Sequence, residues 1–547
     1  MATLTVVEDG PVLVPVSEYG EFGALMGLCG HIAKDLGYHP IFVFTSGYGM
    51  AAEHSRQVEC AGWSWIQMGS GRYSLHTLLD KDTKRGYMPI PSRVMRRIRY
   101  HYKKERSWFG LLASAYEYLV LLTKFTIETK SWYAVRYAPR KDYFNAKTGL
   151  IIARIIIKKL KPRLIISGQD FPLSVTSIFA KAAEENGIKT AIVPFSMPAT
   201  TREIIESVSY FEQNLLRGQA RKVSQKLVPS WLNYRRGEIY SRSSLRVAVA
   251  AKFLRLEPPV PWLPNSGRGV LFVPSQWAYD YYLKAGIPAS HLRLTGAAWG
   301  DKLISARTTR ERRRADLEHA LLQLMPRKLQ KQARKMREGG KPWKLMIVSW
   351  PTNQYPRTAV GCESYEELCR QMVVALHAIQ STLPIGIGVS LHPTLSDVKI
   401  PAMLQKAGIP ILRGSLLNYV DCADIFVSPV SSTAFWALQS GVPTINLDCY
   451  LYGYTEFDEA GAITVSAPHE LIDVSTRLAN DATFYSETQR KIEQKAGQFG
   501  LRDGGSMGRI LSELKGMAIE AKHESTKKNV FSRWRQRRIT TLDINQL

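Results

Sequence analysis

Between Asp421 and Cys449 the chain reads DCADIFVSPVSSTAFWALQSGVPTINLDC, an apolar strand that stops at a Ser-Ser-Thr turn where a helix begins at once. No other stretch restricts the fold so much. Asp424 to Ser428 reads as a buried strand, and Ser431, Ser432 and Thr433 place hydroxyls at the helix start. Gly441 closes the helix before a second strand, Val442 to Leu447. The first N–H groups of a helix lack partners inside it and the helix dipole is positive there, so a phosphate is favoured at this turn. The plainer alternative is that Ser431 only caps the helix.

Two upstream segments share the pattern. In GIGVSLHPTLSD a strand, Ile385 to Leu391, leads into His392 and Pro393, and in SWPTNQYP a loop carrying Pro351, Thr352 and Asn353 follows the strand Lys344 to Val348. The carboxyl ends of strands line the ligand crevice of an open parallel sheet, so the three loops are expected to border one nucleotide-binding crevice.

A length of 547 residues with 45% hydrophobic content is enough for two cores, and strand and helix patterns alternate, which predicts two α/β domains. The first opens with a strand at Pro11 to Val16, the loop SEYGEFG, a helix from Phe22 to Leu36 ended by Gly37, and a strand at Pro40 to Phe44. It is expected to span 1–306, with a basic helical insertion at about 91–148. A basic helical linker at 307–341, a second domain at 342–516 and a basic tail at 517–547 follow.

These motifs resemble those of the GT-B fold enzymes of bacterial surface-carbohydrate synthesis, in which two Rossmann-like domains face a central cleft. LHP and VSSTAFWAL are similar to the His-Pro and Ser-Ser/Thr motifs of bacterial sialyltransferases and related CMP-sugar transferases. They are similar also to the corresponding motifs of CDP-glycerol glycerophosphotransferases, whose C-terminal Asp-Gly segment LRDGGSMGRI resembles. PRLIISGQDFPLSVTSIFAKAAEENGIKTAIVPFS and LRLTGAAWGDKL resemble the first domain of the UDP-GlcNAc 2-epimerases. The resemblance covers roughly two thirds of the chain. It implies that His392, Pro393, Ser431, Ser432 and Thr433 hold a donor phosphate, with Pro351, Thr352 and Asn353 beside them, and that Asp170 occupies the acidic turn that is catalytic in the epimerases. Many transferases of this fold carry a Glu on the helix after the turn to accept from ribose hydroxyls. Here Trp436 stands at the comparable place and cannot accept, which favours a CMP-linked donor unless Glu456 or Glu459 serves instead.

The net charge of +26 is concentrated. RVMRRIRYHYKKER, Arg93 to Arg106, carries seven Lys or Arg and one Glu and runs into the apolar segment WFGLLASAYEYLVLL; KKNVFSRWRQRR, Lys527 to Arg538, repeats the mixture with Phe531 and Trp534. Residues 93–123 and 527–538 are therefore expected to attach the protein to an anionic membrane surface. Solvated surface helices or disordered ends are the alternative. The stretch Trp108 to Thr123 contains Glu117 and is too short to span a bilayer. No nucleic-acid partner is expected, since no finger, RNA-recognition or helix-turn-helix pattern accompanies the charge. Six cysteines without ligand spacing and the lack of a leader pattern suggest a cytoplasmic protein on the inner face of the membrane.

The expected activity is transfer of a sugar from a nucleotide donor to a surface glycan or its lipid-linked precursor. No cofactor and no metal are expected, because no DxD pair sits in a suitable loop. His392 would donate to the departing phosphate and Asp170 would accept the proton of the acceptor hydroxyl, with Glu18 and Glu21 of SEYGEFG as the other candidate bases. The alternative for Asp170 is a cap on the helix starting near Pro172. Three rival readings stay open: a UDP-sugar 2-epimerase, a CDP-glycerol-type transferase, and a non-catalytic basic binding protein.

Overall fold

A computed structural model of the chain describes residues 10–17, 19–45, 51–68, 75–76, 119–120, 122–123, 140–196, 200–263, 268–338, 343–352, 361–392, 395, 399–453 and 455–520. The first domain contains β1 (Val12–Val16), β2 (Pro40–Thr45), β3 (Ser64–Met68), β4 (Leu75–His76), β5 (Leu164–Ser167) and β6 (Lys189–Ile192). The hairpin β7 (Leu232–Arg235) and β8 (Glu238–Ser241) follows, then β9 (Val270–Val273) and β10 (Leu292–Leu294). Its main sheet has the order β10-β9-β6-β5-β1-β2-β3-β4 and is parallel except at β3–β4. VLVPV and LIIS are buried along their whole length, as parallel strands covered on both faces must be. One covering element is the helix Arg140–Leu160, whose Ala146, Leu150, Ala153 and Ile157 repeat at helical spacing and lie in the core.

The second domain contains β11 (Lys344–Ser349), β12 (Ile385–Ser390), β13 (Ile425–Ser428), β14 (Thr444–Leu447) and β15 (Ile463–Val465), all parallel in the order β12-β11-β13-β14-β15. The α/β class and the two Rossmann-like domains of a GT-B architecture are therefore present. Strand limits differ from expectation by a residue or two at β12, β13 and β14. At β14 the reason is Pro443, which has no N–H for the ladder, so pairing starts at Thr444.

Aromatic side chains join the two domains. Trp277, on the helix Gln276–Lys284 of the first domain, packs against Phe435 and Phe499 of the second at centroid distances of 5.0 and 6.2 Å. Trp299 meets Trp436 at 5.5 Å. Such pairs contribute about 0.5–1.5 kcal/mol each beyond the area they bury. Trp436 is thus committed to the seam between domains. The basic linker is also docked, its helix Arg310–Leu324 stitched to the second sheet where Arg313 grips both carboxylate oxygens of Asp421 and Arg314 donates to Asp424 at 2.6 Å.

Residues 506–520 form a helix that returns to the first domain, where Ile510, Leu514, Met517 and Ala518 pack in one core with Val12, Phe22 and Phe42. The expected boundary of the second domain at 516 is corrected accordingly: burial of this apolar face draws the last helix out of the second unit. Most of the expected insertion at 91–148, the segment 93–123 apart from four residues, and the tail segment 527–538 lie outside the described residues. Among those described, no helix is long and apolar enough to cross a membrane.

The return helix is capped by the first domain it joins, since Asp301 Oδ1 and Oδ2 accept from the Ser506 and Met507 N–H groups at 3.0 and 2.8 Å. Asp301→Ala is expected to lower unfolding free energy by about 1 kcal/mol, measured by urea denaturation.

Candidate functional site

In the second sheet β11 lies between β12 and β13, so the connections leaving β11 and β13 depart in opposite directions across the sheet. This is the order 2-1-3-4-5, and its topological switch point falls between β11 and β13, the place outside the carboxyl ends where open parallel sheets take their ligands. Trp350 to Thr352 after β11 and the Ser-Ser-Thr turn after β13 flank that switch point, and His392 follows β12 on the other side of β11.

The register makes this edge polar. Ser390 pairs with Ser349, the offset of β11 and β13 sets Ser349 beside Ser428, Ser428 pairs with Asn446, and Asn446 pairs with Thr464. Side chains level with one another in a parallel sheet emerge on the same face, so these five form one row under the strand ends. Ser349, Ser390, Ser428 and Asn446 are buried, and Asn446 Nδ2 donates to Thr464 Oγ1 at 3.3 Å.

At the turn, Ser432 is the N-cap residue of the helix Thr433–Ser440 but makes no side-chain cap hydrogen bond. Ser431 Oγ accepts from the Thr433 N–H at 3.3 Å and from Thr433 Oγ1 at 3.2 Å, and Thr433 Oγ1 lies 3.1 Å from Ser428 Oγ. Ser431 therefore braces the turn through Thr433, while the N-cap position falls to Ser432 and not to Ser431 as the plainer reading had it. All three side chains remain half-buried. Val430, just before them, has φ of 22°, a conformation that a β-branched residue adopts only at a cost of about 1–3 kcal/mol, and such strain collects at ligand clamps. Gly441 ends the helix at φ 76° as expected.

The other expected clamp residues divide. His392 is exposed, and partial desolvation holds its imidazole below the ordinary histidine range. The first residues after β11 are fixed by two tyrosines. Tyr450 Oη accepts from the Thr352 N–H at 3.0 Å and donates to the Thr352 carbonyl at 3.1 Å, while Tyr365 Oη donates to the Pro351 carbonyl at 2.8 Å. The Thr352 N–H and carbonyl are thus both engaged, and Pro351 is a buried support. Pro393 and Asn353 lie outside the described residues.

In the first sheet the order turns back between β1 and β5, which places the second switch point at Ser17 with the first turn of the helix Tyr19–Asp35, which starts before the expected Phe22 and holds Glu21, and at the loop Gly168 to Asp170. Glu21 is fully buried there. Its Oε2 accepts from the Ser17 N–H at 2.8 Å and from Ser17 Oγ at 3.0 Å, and its Oε1 accepts from the Gly168 N–H at 2.7 Å. A carboxylate held by these donors is a strut that ties its helix to the ends of β1 and β5, and this geometry does not suit it to act as a base. Glu18 lies outside the described residues. Asp170 is buried, 1% exposed, in the loop after β5. It does not cap the next helix as the alternative reading had it; that helix starts at Val175 and is capped by Ser174, whose hydroxyl is the shorter local acceptor.

Sequence reasoning missed one group. The loop after β6 leads to the helix Thr201–Ser209, and the loop after β14 runs through Asp448 to Glu456, so carboxyl ends of both sheets meet: Arg202 Nε donates to the Tyr452 carbonyl at 3.1 Å, and the Tyr210 and Tyr452 rings stack at 6.5 Å. Glu203, in the first turn of that helix, is pushed up to about 8 by burial and by the neighbouring Glu456 carboxylate, although the Thr200 N–H opposes the shift. Burial also raises Glu456, against the pull of Arg202. Glu456 Oε2 is buried without a hydrogen-bond partner among the described residues. The TTRE stretch, Thr200 to Glu203, carries a Thr-x-x-Glu capping signal, but nothing in it reveals a second carboxylate from the other domain. Among the described residues no cluster of three or more His, Cys, Asp or Glu is placed to hold a metal ion.

No family model matches the sequence, and no curated protein matches it. Several solved structures are similar in fold. S. aureus MnaA with UDP shares 10% identity over 92% of this chain and 96% of that one, with a TM-score of 0.45. The UDP-GlcNAc 2-epimerase from Neisseria meningitidis bound to UDP-GlcNAc shares 10% over 92% and 100%, with a TM-score of 0.46. CalG4, the calicheamicin glycosyltransferase, shares 10% over 93% and 98%, with a TM-score of 0.43. The chemistry of the site rests on this chain's own side chains and not on these likenesses.

A Cβ at Gly168 would lie 2.7 Å from Glu21 Cγ. Gly168→Ala is expected to displace the Glu21 strut, strand two backbone N–H groups and cost about 2 kcal/mol or more, read from the denaturation midpoint. Glu203 gives a pH signature. Because its folded value is raised to about 8, the folded chain keeps a proton that the unfolded chain has released, and stability falls as pH rises from the ordinary carboxyl range through about 8. Glu203→Gln should flatten that slope, measured as melting temperature against pH.

Proposed function

We propose that the chain is a glycosyltransferase that binds a nucleotide-sugar donor with its phosphate at the β13 turn and transfers the sugar to a hydroxyl of a glycan or lipid-linked glycan. The observation that carries this reading is the topological switch point of the second sheet, which puts Ser431, Ser432 and Thr433 at a helix start after β13 and His392 after β12. Helix N–H groups and hydroxyls there complement charge that grows on the phosphate as the bond from the anomeric carbon to the phosphate oxygen breaks. His392 donates to that oxygen. The acceptor oxygen bonds to the anomeric carbon, and its proton passes to Asp170, on the loop at the switch point of the first sheet.

The nucleotide is the narrower part of the proposal. Trp436 offers no acceptor to a ribose, which favours a CMP-linked donor; Glu456 offers one from the loop after β14 and would admit a UDP-sugar. The basic segments 93–123 and 527–538 would hold the enzyme on an anionic membrane surface near a lipid-linked acceptor. A second reading, 2-epimerisation of a UDP-sugar, draws on Glu203, a carboxyl group protonated at neutral pH beside Glu456, since proton removal and return at one carbon needs groups of unlike proton affinity.

Ser431→Ala/Ser432→Ala and His392→Ala should each weaken nucleotide binding in a thermal-shift screen of CMP, CDP, UDP and GDP, and unchanged affinity would remove the clamp. Asp170→Asn should keep binding and lower turnover by roughly two to four orders of magnitude. With a UDP-sugar alone, appearance of its C2 epimer, or of the free epimeric sugar, would select the second reading.

A further inference from the structure

The chain passes between its domains twice, and the two crossings run side by side. One is Arg307–Thr309, between the helices Gly300–Ala306 and Arg310–Leu324; the other is residues 500–505, between the helix Ala482–Phe499 and the return helix 506–520. A cavity of about 580 Å³ opens against both, and Arg307, Arg310, Arg490 and Arg502 line it together with Asp421 and Glu493.

Its two acids are already engaged. Asp421 is held by Arg313, which does not line the cavity, and Glu493 accepts from Arg502 Nη2 at 2.7 Å. Arg307, Arg310 and Arg490 make no ion pair among the described residues, and Arg502 Nε is buried without an acceptor. Partial burial holds Arg307 below the ordinary guanidinium range, Arg502 and Arg310 add to that effect, and Glu493 and Asp421 offset it. The site therefore lacks negative charge. The carboxyl end of the helix Thr433–Ser440 borders the cavity through Ser440 and Gly441, but a helix end supplies only about half a negative charge against three unpaired guanidinium groups.

We propose that this cavity is a second anion site, separate from the crevice at the strand ends, which takes a small molecule carrying two or more phosphoryl groups and ties the two interdomain crossings together. Guanidinium forks match phosphoryl oxygens in pairs, and three of them suit a ligand with several charges. The volume falls within the roughly 300–1,000 Å³ of small-molecule sites and exceeds what one phosphate fills. The crevice turn lies at the opposite end of the same eight-residue helix, about 12 Å away along its axis. A ligand bridging Arg307 and Arg502 would restrain the motion of one domain against the other.

The test is calorimetric titration of the full chain with inorganic pyrophosphate in the Ser431→Ala/Ser432→Ala background, where the turn at the strand ends is disabled. Binding is expected to persist there and to weaken at least tenfold when Arg307→Ala and Arg490→Ala are added; Arg307→Gln with Arg490→Gln should give the same loss, and circular dichroism checks the fold of each. Absence of pyrophosphate binding in the serine background, or an affinity that the arginine substitutions leave unchanged, would overturn the proposal. Failure of the donor clamp would show instead as nucleotide affinity unaltered by the serine substitutions alone, so the two outcomes are separable.

Discussion

All five strands of the second sheet run in one direction, so each delivers its carboxyl end to the same edge, and the site depends on that constraint. Ladder pairing fixes the levels. Once Val348 pairs with both Val389 and Val427, the serines that end β11, β12 and β13 must stand in a row, and the turn at Ser431 must rise beside the loop from β11. A slip of one residue at β13 would turn Ser428 to the opposite face and put an apolar side chain in its place. The burial of Met346, Ile347, Phe426 and Val427 opposes that slip, so core packing, rather than any bond within the site, holds the turn in position.

The first domain meets this edge through an aromatic seam and a polar contact of different character. Trp277, Phe435, Phe499, Trp299 and Trp436 form a packed hydrophobic joint, whereas Arg202 reaches Tyr452 at the mouth of the cleft, where Glu203 and Glu456 keep more proton affinity than carboxyl groups usually have. Part of the large positive charge is also structural: Arg313 and Arg314 bind Asp421 and Asp424 and fasten the linker helix to the second sheet.

What the sequence made legible was local. Continuous apolar runs such as LMIV and FV marked parallel strands, Gly441 marked a helix end, and the alternation of strands with helices gave two α/β domains, because each rests on neighbours within a few residues. The three strand ends that carry the expected site were legible in the same way. Their order across the sheet was not, since nothing in the segments says that β11 lies between the other two. Glu21 looked like a candidate base until folding placed the Gly168 N–H, 147 positions away, 2.7 Å from its carboxylate. The same limit hid the carboxyl pair of Glu203 and Glu456, the arginine cavity at the crossings, and the return of residues 506–520 to the first core, all of which depend on contacts between distant segments.

The central claim is that a nucleotide phosphate docks on the turn after β13. A crystal structure of the chain with a bound nucleoside phosphorothioate locates that group directly from the anomalous signal of its sulfur. The account predicts the phosphorothioate within hydrogen-bonding distance of the N–H groups and hydroxyls of Ser431 to Thr433, on the side facing His392. A nucleotide ordered elsewhere on the chain with this turn empty would contradict it.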